Sequence, residues 1–355
     1  MTRVHVVLPA GVDDPARPSG GNVYDRRVCD GLRSRGFEVR EHLVEGAWPC
    51  PDRAAQDALA GVVARLPDGD VVLVDGLLAS VAPEILVPAA ARMRLVVLVH
   101  MSFGDAPPGH VVPDAAVRER AVLSAAYAVV TTSEWTRVRL LERYGLRPDR
   151  VCAAVPGADL GQLAPGTAAG ARMLCVAAVA PHKGHDRLVA ALAALDGLHW
   201  RCTCVGVLER DPEFVDGVMA RARAFGIADR VVLTGPLVGS ALDRAYLAAD
   251  VLVLPSLAET YGMVVTEALA HGLPVIATEV GGLPEALGVG AGARRPGILV
   301  PPENPRALAA ALGRWLLDPA LRDDLRQAAR ERRQTLASWA QTTACVAQVL
   351  TSAGS

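Results

Sequence analysis

The chain has 355 residues, a formal net charge of −2 and 51% apolar residues. This length suits two domains with sizeable cores, and the near-neutral charge argues against nucleic acid as a main partner. The seven cysteines are odd in number and form no CxxC pair, which favours reduced thiols over a disulfide framework or a zinc site. Neither a signal peptide nor an apolar run of membrane-spanning length is visible, so we expect a cytoplasmic protein.

Short apolar runs alternate with helical patterns through the first half of the chain. The predicted strands are Val4–Leu8, Glu38–Leu43, Val71–Val74, Leu95–Val99, Ala128–Thr131 and Val151–Val155. The predicted helices include Val23–Arg35, Ala115–Ala126 and Glu134–Tyr144. Nearly continuous Val and Leu runs are typical of a parallel sheet covered on both faces.

The same alternation restarts after residues 161–172, a Gly-, Ala- and Pro-rich segment that we interpret as a linker. The predicted strands here are Met173–Ala177, Arg201–Val205, Val231–Thr234, Val251–Leu254, Val275–Thr278 and Ile298–Val300. The pattern predicts an α/β protein of two facing, Rossmann-like, doubly wound domains, residues 1–160 and 173–335, with a cleft between them. Residues 336–355 form a last helix that we expect to pack back toward the N-terminal domain.

The segment from Leu254 to Thr278 carries the clearest chemical signal. A buried strand ends at Leu254, a loop carries Glu259 and Gly262, and a helix begins near Met263 with Glu267 on its first or second turn. The unpaired amides and positive dipole at a helix start suit a diphosphate. The two glutamates could accept hydrogen bonds from sugar and ribose hydroxyls on either side of it. They would also suit the helix dipole without any ligand.

This segment resembles the retaining glycosyltransferases of the GT-B fold, family 4. The matched pattern runs from Glu259 through Glu267 and Ala-x-Ala-x-Gly-x-Pro-Val-Ile-Ala-Thr to Thr278, and continues into Gly281–Glu285. Weaker matches follow in order over nearly the whole chain, at Gly20–Asn22, His100, Pro156–Asp159 and Pro181–Gly184.

The resemblance implies a role for each matched position. Glu267 would hold the nucleotide ribose, and Lys183 would neutralise the diphosphate. Glu259 and His100 would contact the donor sugar; with Lys183 they form the predicted catalytic group. The other implied donor-binding residues are Gly20, Gly21, Thr234, Gly235, Tyr261, Gly262, Met263 and Val264.

Two further observations bear on these roles. Lys183 is the only lysine of the chain, although the sequence is rich in arginine. The family usually has an arginine a few residues before this lysine, where the present chain has Ala178. Another group must replace that cation, or phosphate binding must depend more on helix-start amides.

We expect no required metal and no cofactor. Asp68-Gly69-Asp70 has the letters of a metal-binding D-x-D motif, but it precedes a strand and is better interpreted as a turn. His182 and His185 flank Lys183, and the sequence indicates no third ligand beside them.

The predicted activity is transfer of a hexose-type sugar, with retained anomeric configuration, from a UDP- or GDP-linked donor to an acceptor hydroxyl. The resemblance implies that the acceptor attacks from the leaving-group face and that the departing phosphate takes its proton. We expect a small soluble acceptor, because Val23–Arg40 offers basic residues but little apolar surface for a membrane. A sugar-nucleotide epimerase and a non-catalytic nucleotide-sugar-binding protein are the alternatives.

Overall fold

The computed structural model describes residues 2–16, 18–105, 114–290 and 292–354. The chain forms two compact units. The N-terminal unit comprises residues 1–14, 19–157 and 337–355, and the C-terminal unit comprises residues 15–18 and 158–336. No helix in the described part of the chain is long and apolar enough to cross a membrane.

The N-terminal unit is a six-stranded parallel sheet with helices on both faces. Its strands are β1 (Arg3–Pro9), β2 (Glu38–Val44), β3 (Val71–Asp75), β4 (Arg94–Val99), β5 (Ala128–Thr131) and β6 (Val151–Ala153), in the order β2-β1-β3-β4-β5-β6. Its helices are α1 (Gly20–Ser34), α2 (Arg53–Ala64), α3 (Gly76–Ala79), α4 (Pro83–Ala90), α5 (Ala115–Ala125) and α6 (Glu134–Tyr144).

The C-terminal unit repeats this architecture. Its strands are β7 (Arg172–Val176), β8 (Arg201–Val205), β9 (Val231–Leu233), β10 (Val251–Leu254), β11 (Val275–Thr278) and β12 (Gly297–Val300), in the order β12-β11-β10-β7-β8-β9. Its helices are α7 (His185–Ala193), α8 (Pro212–Ala224), α9 (Ser240–Ala248), α10 (Met263–Ala270), α11 (Leu283–Leu287), α12 (Pro305–Leu317) and α13 (Pro319–Arg333). The last helix, α14 (Trp339–Gly354), lies in the N-terminal unit.

The predicted α/β class and all twelve predicted strands are confirmed, with strand ends shifted by no more than two residues. Strands β3 and β10 are buried along their whole length, which explains their unbroken Val and Leu runs. In the N-terminal unit, helices α2, α3 and α4 are additions to the predicted helices. Helices α3 and α4 have eight residues or fewer and carry little helical periodicity.

Helix α14 covers part of the N-terminal sheet by packing on α1. Trp339 meets the ring of Tyr24 edge to face at 5.8 Å between centroids, and Thr342 Oγ1 donates to the carbonyl of Val155. Gly31 lets the two helices approach closely, because a Cβ there would lie 2.2 Å from Thr343 Oγ1.

Each sheet reverses its strand order once. In the N-terminal sheet the order reverses between β1 and β3, and in the C-terminal sheet between β7 and β10. Loops beyond the carboxyl ends of strands at such a reversal form the ligand crevice of doubly wound sheets. Ligand-binding residues are therefore expected in the loops that follow these strands and their neighbours in the sheet.

Candidate active site

The loop after β10 leads into a helix whose first amides carry no side-chain cap. Gly262 occupies the N-cap position with φ +91°, and among the described residues no side chain accepts a hydrogen bond from the first turn of α10. A left-handed backbone at this position favours glycine. The start of α10 therefore has the features of an anion site, with Tyr261 immediately before it and Met263 and Val264 opening the helix.

Lys183 and Glu259 meet at the reversal point of the C-terminal sheet. Lys183 follows β7 and Glu259 follows β10, and Lys183 Nζ donates to Glu259 Oε1 at 2.5 Å. Ser256 Oγ donates to the same carboxylate oxygen at 3.0 Å. The two side chains are 21% and 13% exposed, so the pair is partly sheltered and still reachable by a ligand.

Close backbone packing fixes the position of this loop. The amide of Gly282 donates to the carbonyl of Glu259 at 3.0 Å. Gly281 has φ +54°, and a Cβ there would lie 1.7 Å from that same carbonyl oxygen. The Gly281-Gly282 pair of the matched motif thus supports the loop that carries Glu259.

Glu267 lies one turn into α10 and has a partner that the sequence reading missed. The hydroxyl of Tyr246, on α9, donates a hydrogen bond to Glu267 Oε2 at 2.7 Å. The ring of His271 stacks on that of Tyr246, with 4.9 Å between the ring centroids. Burial raises the pKa of Glu267, and the hydrogen bond from Tyr246 opposes that rise. Tyr246 lies 21 residues away on another helix, so no local motif announces the contact.

Thr234 and Gly235 follow β9, beside the end of β8. The amide of Thr234 donates to the carbonyl of Cys204, and the amide of Gly206 donates to the carbonyl of Gly235. These backbone bonds hold the two residues at the carboxyl edge of the C-terminal sheet, the same edge that carries Lys183 and Glu259.

The predicted residues of the N-terminal unit lie at the carboxyl edge of the other sheet, at or beside its reversal point. Gly20 and Gly21 open α1, whose first turn is capped by Ser19 through its contact with the amide of Asn22. His100 follows β4, and a Cβ at Gly21 would lie 3.4 Å from its ring. The structure adds two residues that the sequence reading missed, because Asp25 and Asp75 both approach His100.

One set of side chains could in principle hold a soft metal ion. Cys175, His185 and Cys204 offer ligand atoms within 4.8 Å of one another, so His185 has the neighbouring ligands that its sequence context did not show. All three residues are buried, and His185 Nδ1 has no hydrogen-bond partner. A metal-bound histidine usually donates its second ring nitrogen to an acceptor, and His185 lacks one. The three side chains are therefore better explained as packed residues of the core than as metal ligands. Asp68-Gly69-Asp70 forms a turn, and Asp70 pairs with His5.

Solved structures share the whole fold. Sucrose-phosphate synthase from Thermosynechococcus elongatus is 23% identical and superposes with a TM-score of 0.79 over 99% of both chains. Anabaena Alr3699/HepE in complex with UDP-glucose is 16% identical, with a TM-score of 0.79 over 99% of this chain and 100% of that one. Identities this low establish the fold alone, and the fold is GT-B.

The sequence comparisons define the family. Residues 169–332, most of the C-terminal unit, match the model of the glycosyl transferases group 1. The D-inositol 3-phosphate glycosyltransferase of Acidothermus cellulolyticus is 35% identical over 248 residues, 63% of this chain and 52% of that protein. The same enzyme of Kineococcus radiotolerans is 34% identical over 66% of this chain and 58% of that protein. The chain therefore carries a glycosyl transferases group 1 domain over residues 169–332, and it spans a little over half the length of these relatives.

Proposed function

We propose that this chain is a retaining glycosyltransferase that moves a hexose-type sugar from a UDP- or GDP-linked donor to an acceptor hydroxyl. The observation that carries the proposal is the grouping of Lys183, Glu259 and the uncapped start of α10 at one sheet edge, with Glu267 one turn further on. A cation and a helix N-terminus are the groups that stabilise a departing diphosphate. Carboxylates beside them suit sugar hydroxyls.

In this proposal the donor diphosphate draws the Lys183 ammonium away from Glu259. The lysine then balances the charge that develops on the leaving phosphate, and Glu259 becomes free to accept from the sugar. The acceptor attacks from the leaving-group face, and the phosphate takes its proton. We propose a small soluble acceptor and no metal requirement; the relatives' name makes D-inositol 3-phosphate the first acceptor to try.

The test incubates the chain with UDP-, GDP- and ADP-linked sugars, with and without D-inositol 3-phosphate and with EDTA throughout. We expect an acceptor-dependent product whose anomeric configuration by NMR equals that of the donor. Conversion of donor without acceptor into an isomeric sugar nucleotide would favour an epimerase. An inverted product would overturn the retaining assignment, and donor binding without any product would favour a non-catalytic binding protein.

The single lysine allows a direct test of the donor site. An amine-specific reagent can modify only Lys183 and the chain amino terminus, because the chain has no other lysine. We expect the nucleotide diphosphate of the active donor to slow modification of Lys183 and not of the terminus, as measured by peptide mass spectrometry. Equal rates with and without nucleotide would place the diphosphate elsewhere.

A further inference from the structure

Three acidic and basic side chains of the N-terminal unit come together from three different elements. His100 Nε2 lies 2.8 Å from Asp25 Oδ1, on α1, and 3.7 Å from Asp75 Oδ2, at the end of β3. The side chains of Asp25 and Asp75 are 1% and 3% exposed, whereas that of His100 is 16% exposed. The histidine is therefore the only member of this trio that a ligand can reach.

The ring of His100 is held in one orientation. Nε2 donates to the carboxylate of Asp25, and the ring of Tyr24 approaches edge to face at 5.3 Å with an interplanar angle of 80°. The backbone at Gly21 closes another side, since a Cβ there would lie 3.4 Å from the ring. With Nε2 engaged by Asp25, Nδ1 is the ring nitrogen that can serve a substrate.

The charges of the trio must also balance, because two unpaired carboxylates cannot stay buried side by side. Asp75 Oδ1 accepts the amide of Leu77, while Asp25 Oδ2 is buried without a hydrogen-bond partner. A proton on Asp75 together with an imidazolium at His100 leaves the group electrically neutral. Burial and the neighbouring Asp25 carboxylate raise the pKa of Asp75 to about 8.

The two aspartates also shift the pKa of His100, in the direction opposite to the effect of burial. Burial alone lowers the pKa of His100, but the charge and hydrogen bond of Asp25, helped by Asp75, outweigh it and raise the pKa to about 9. Within residues 2–16, 18–105, 114–290 and 292–354, the other titratable groups facing the trio are Tyr24 and Cys29 of α1, and burial raises the pKa of both. The charges of Cys152 on β6 and Cys345 on α14 raise the pKa of Tyr24 further.

We propose that Asp25 and Asp75 are positioning residues that fix the ring of His100 and keep it as an imidazolium, so that its Nδ1–H is a cationic donor to the substrate. The part of this role that concerns substrate rests on the proposed function; the state of the imidazole does not. A neutral histidine in the same place could accept a proton, whereas an imidazolium stabilises negative charge.

The first test follows the imidazole of His100 by NMR in the ligand-free chain, with its signal assigned from the His100→Asn spectrum. We expect His100 to stay charged through neutral pH and to titrate near about 9. Asp25→Asn should bring its pKa down toward about 6.5, the ordinary value. Asp30→Asn, an exposed change on the same helix, is the matched control and should leave the titration unchanged.

Asp75→Asn sharpens the result, because an asparagine copies a protonated aspartic acid at that position. We expect His100 to remain charged at pH 7 in this variant, unlike in Asp25→Asn. A wild-type His100 that titrates near 6.5, or an Asp25→Asn variant with an unchanged titration, would overturn the proposal. So would a shift of the wild-type titration on adding EDTA.

A second test separates this proposal from the proposed function. If the wild type transfers sugar, its kcat should fall as pH rises through about 9. The Asp25→Asn variant should show that fall at a lower pH. The Tm of the variant is measured as well, so that any loss of folded protein is corrected for in its kcat. Retention of the wild-type pH profile by Asp25→Asn would sink the positioning role. A wild type that transfers nothing from any donor contradicts the proposed function alone, and the NMR titration still decides the state of His100.

Discussion

Both sheets of this protein carry polar groups at the carboxyl edge where the strand order reverses, but the groups differ between the two units. In the C-terminal unit the start of α10 is left without a side-chain cap, and Lys183, which follows the neighbouring strand β7, pairs with Glu259 in the loop before that helix. In the N-terminal unit Ser19 caps the start of α1, and the charge is supplied by a histidine between two buried aspartates.

The difference concerns how each unit presents positive charge. An uncapped helix start together with Lys183 offers several donors to a ligand that brings its own negative charge. The capped α1 and the His100 trio offer one oriented donor whose charge is balanced internally. The C-terminal arrangement therefore suits a diphosphate, and the N-terminal arrangement suits a single polar or anionic group of the substrate.

Removal of Lys183 should have the largest effect. Lys183→Ala leaves the start of α10 as the only positive feature identified in the described part of the C-terminal site, and we expect kcat/KM to fall by roughly 10²–10³-fold, as for other preorganised charges. Lys183→Arg should recover only part of this loss, because guanidinium is broader than ammonium. Steady-state kinetics measures both, with the exposed change Arg210→Ala as control. Full activity in Lys183→Ala would remove the basis of the comparison.

Glu259→Gln should distinguish binding of the nucleotide from binding of the sugar. The change frees Lys183 from its ion pair, so UDP alone should bind as tightly as before or more tightly, whereas a matched UDP-sugar should lose about tenfold in affinity. Isothermal titration calorimetry with both ligands gives the ratio. The exposed change Glu303→Gln is the control and should leave the ratio unaltered. Equal losses for UDP and UDP-sugar would show that Glu259 does not contact the sugar.

Tyr246→Phe should have the smallest effect. It removes one hydrogen bond to Glu267, worth about 1 kcal/mol, so nucleotide affinity should fall about fivefold at neutral pH. The bond lowers the pKa of Glu267 against the effect of burial, so its loss raises that pKa further. Because binding needs the carboxylate, affinity should then disappear at a higher pH on acidification than in the wild type. If the variant loses nucleotide affinity at the same acidic pH as the wild type, Tyr246 contributes packing and does not lower the pKa of Glu267.

The two sites also differ in how much of each can be predicted from the sequence alone. Glu259, Gly262 and Glu267 lie within nine residues, and the helix between them fixes their relative positions. Asp25, Asp75 and His100 are spread over 75 residues and meet because the carboxyl ends of three parallel strands and the helix after β1 converge at one sheet edge. A single sequence gives no sign of which aspartates that convergence selects.

The amino-acid sequence by itself determined the α/β class, the strand runs and the local segment around α10, because each depends on periodicity or on neighbours in the chain. Only the tertiary structure decided the pairing of Lys183 with Glu259, the support of Glu267 by Tyr246 and the aspartates beside His100. Those contacts join residues between 21 and 76 positions apart, and their electrostatics depend on burial, which exists only once the sheets and helices have packed.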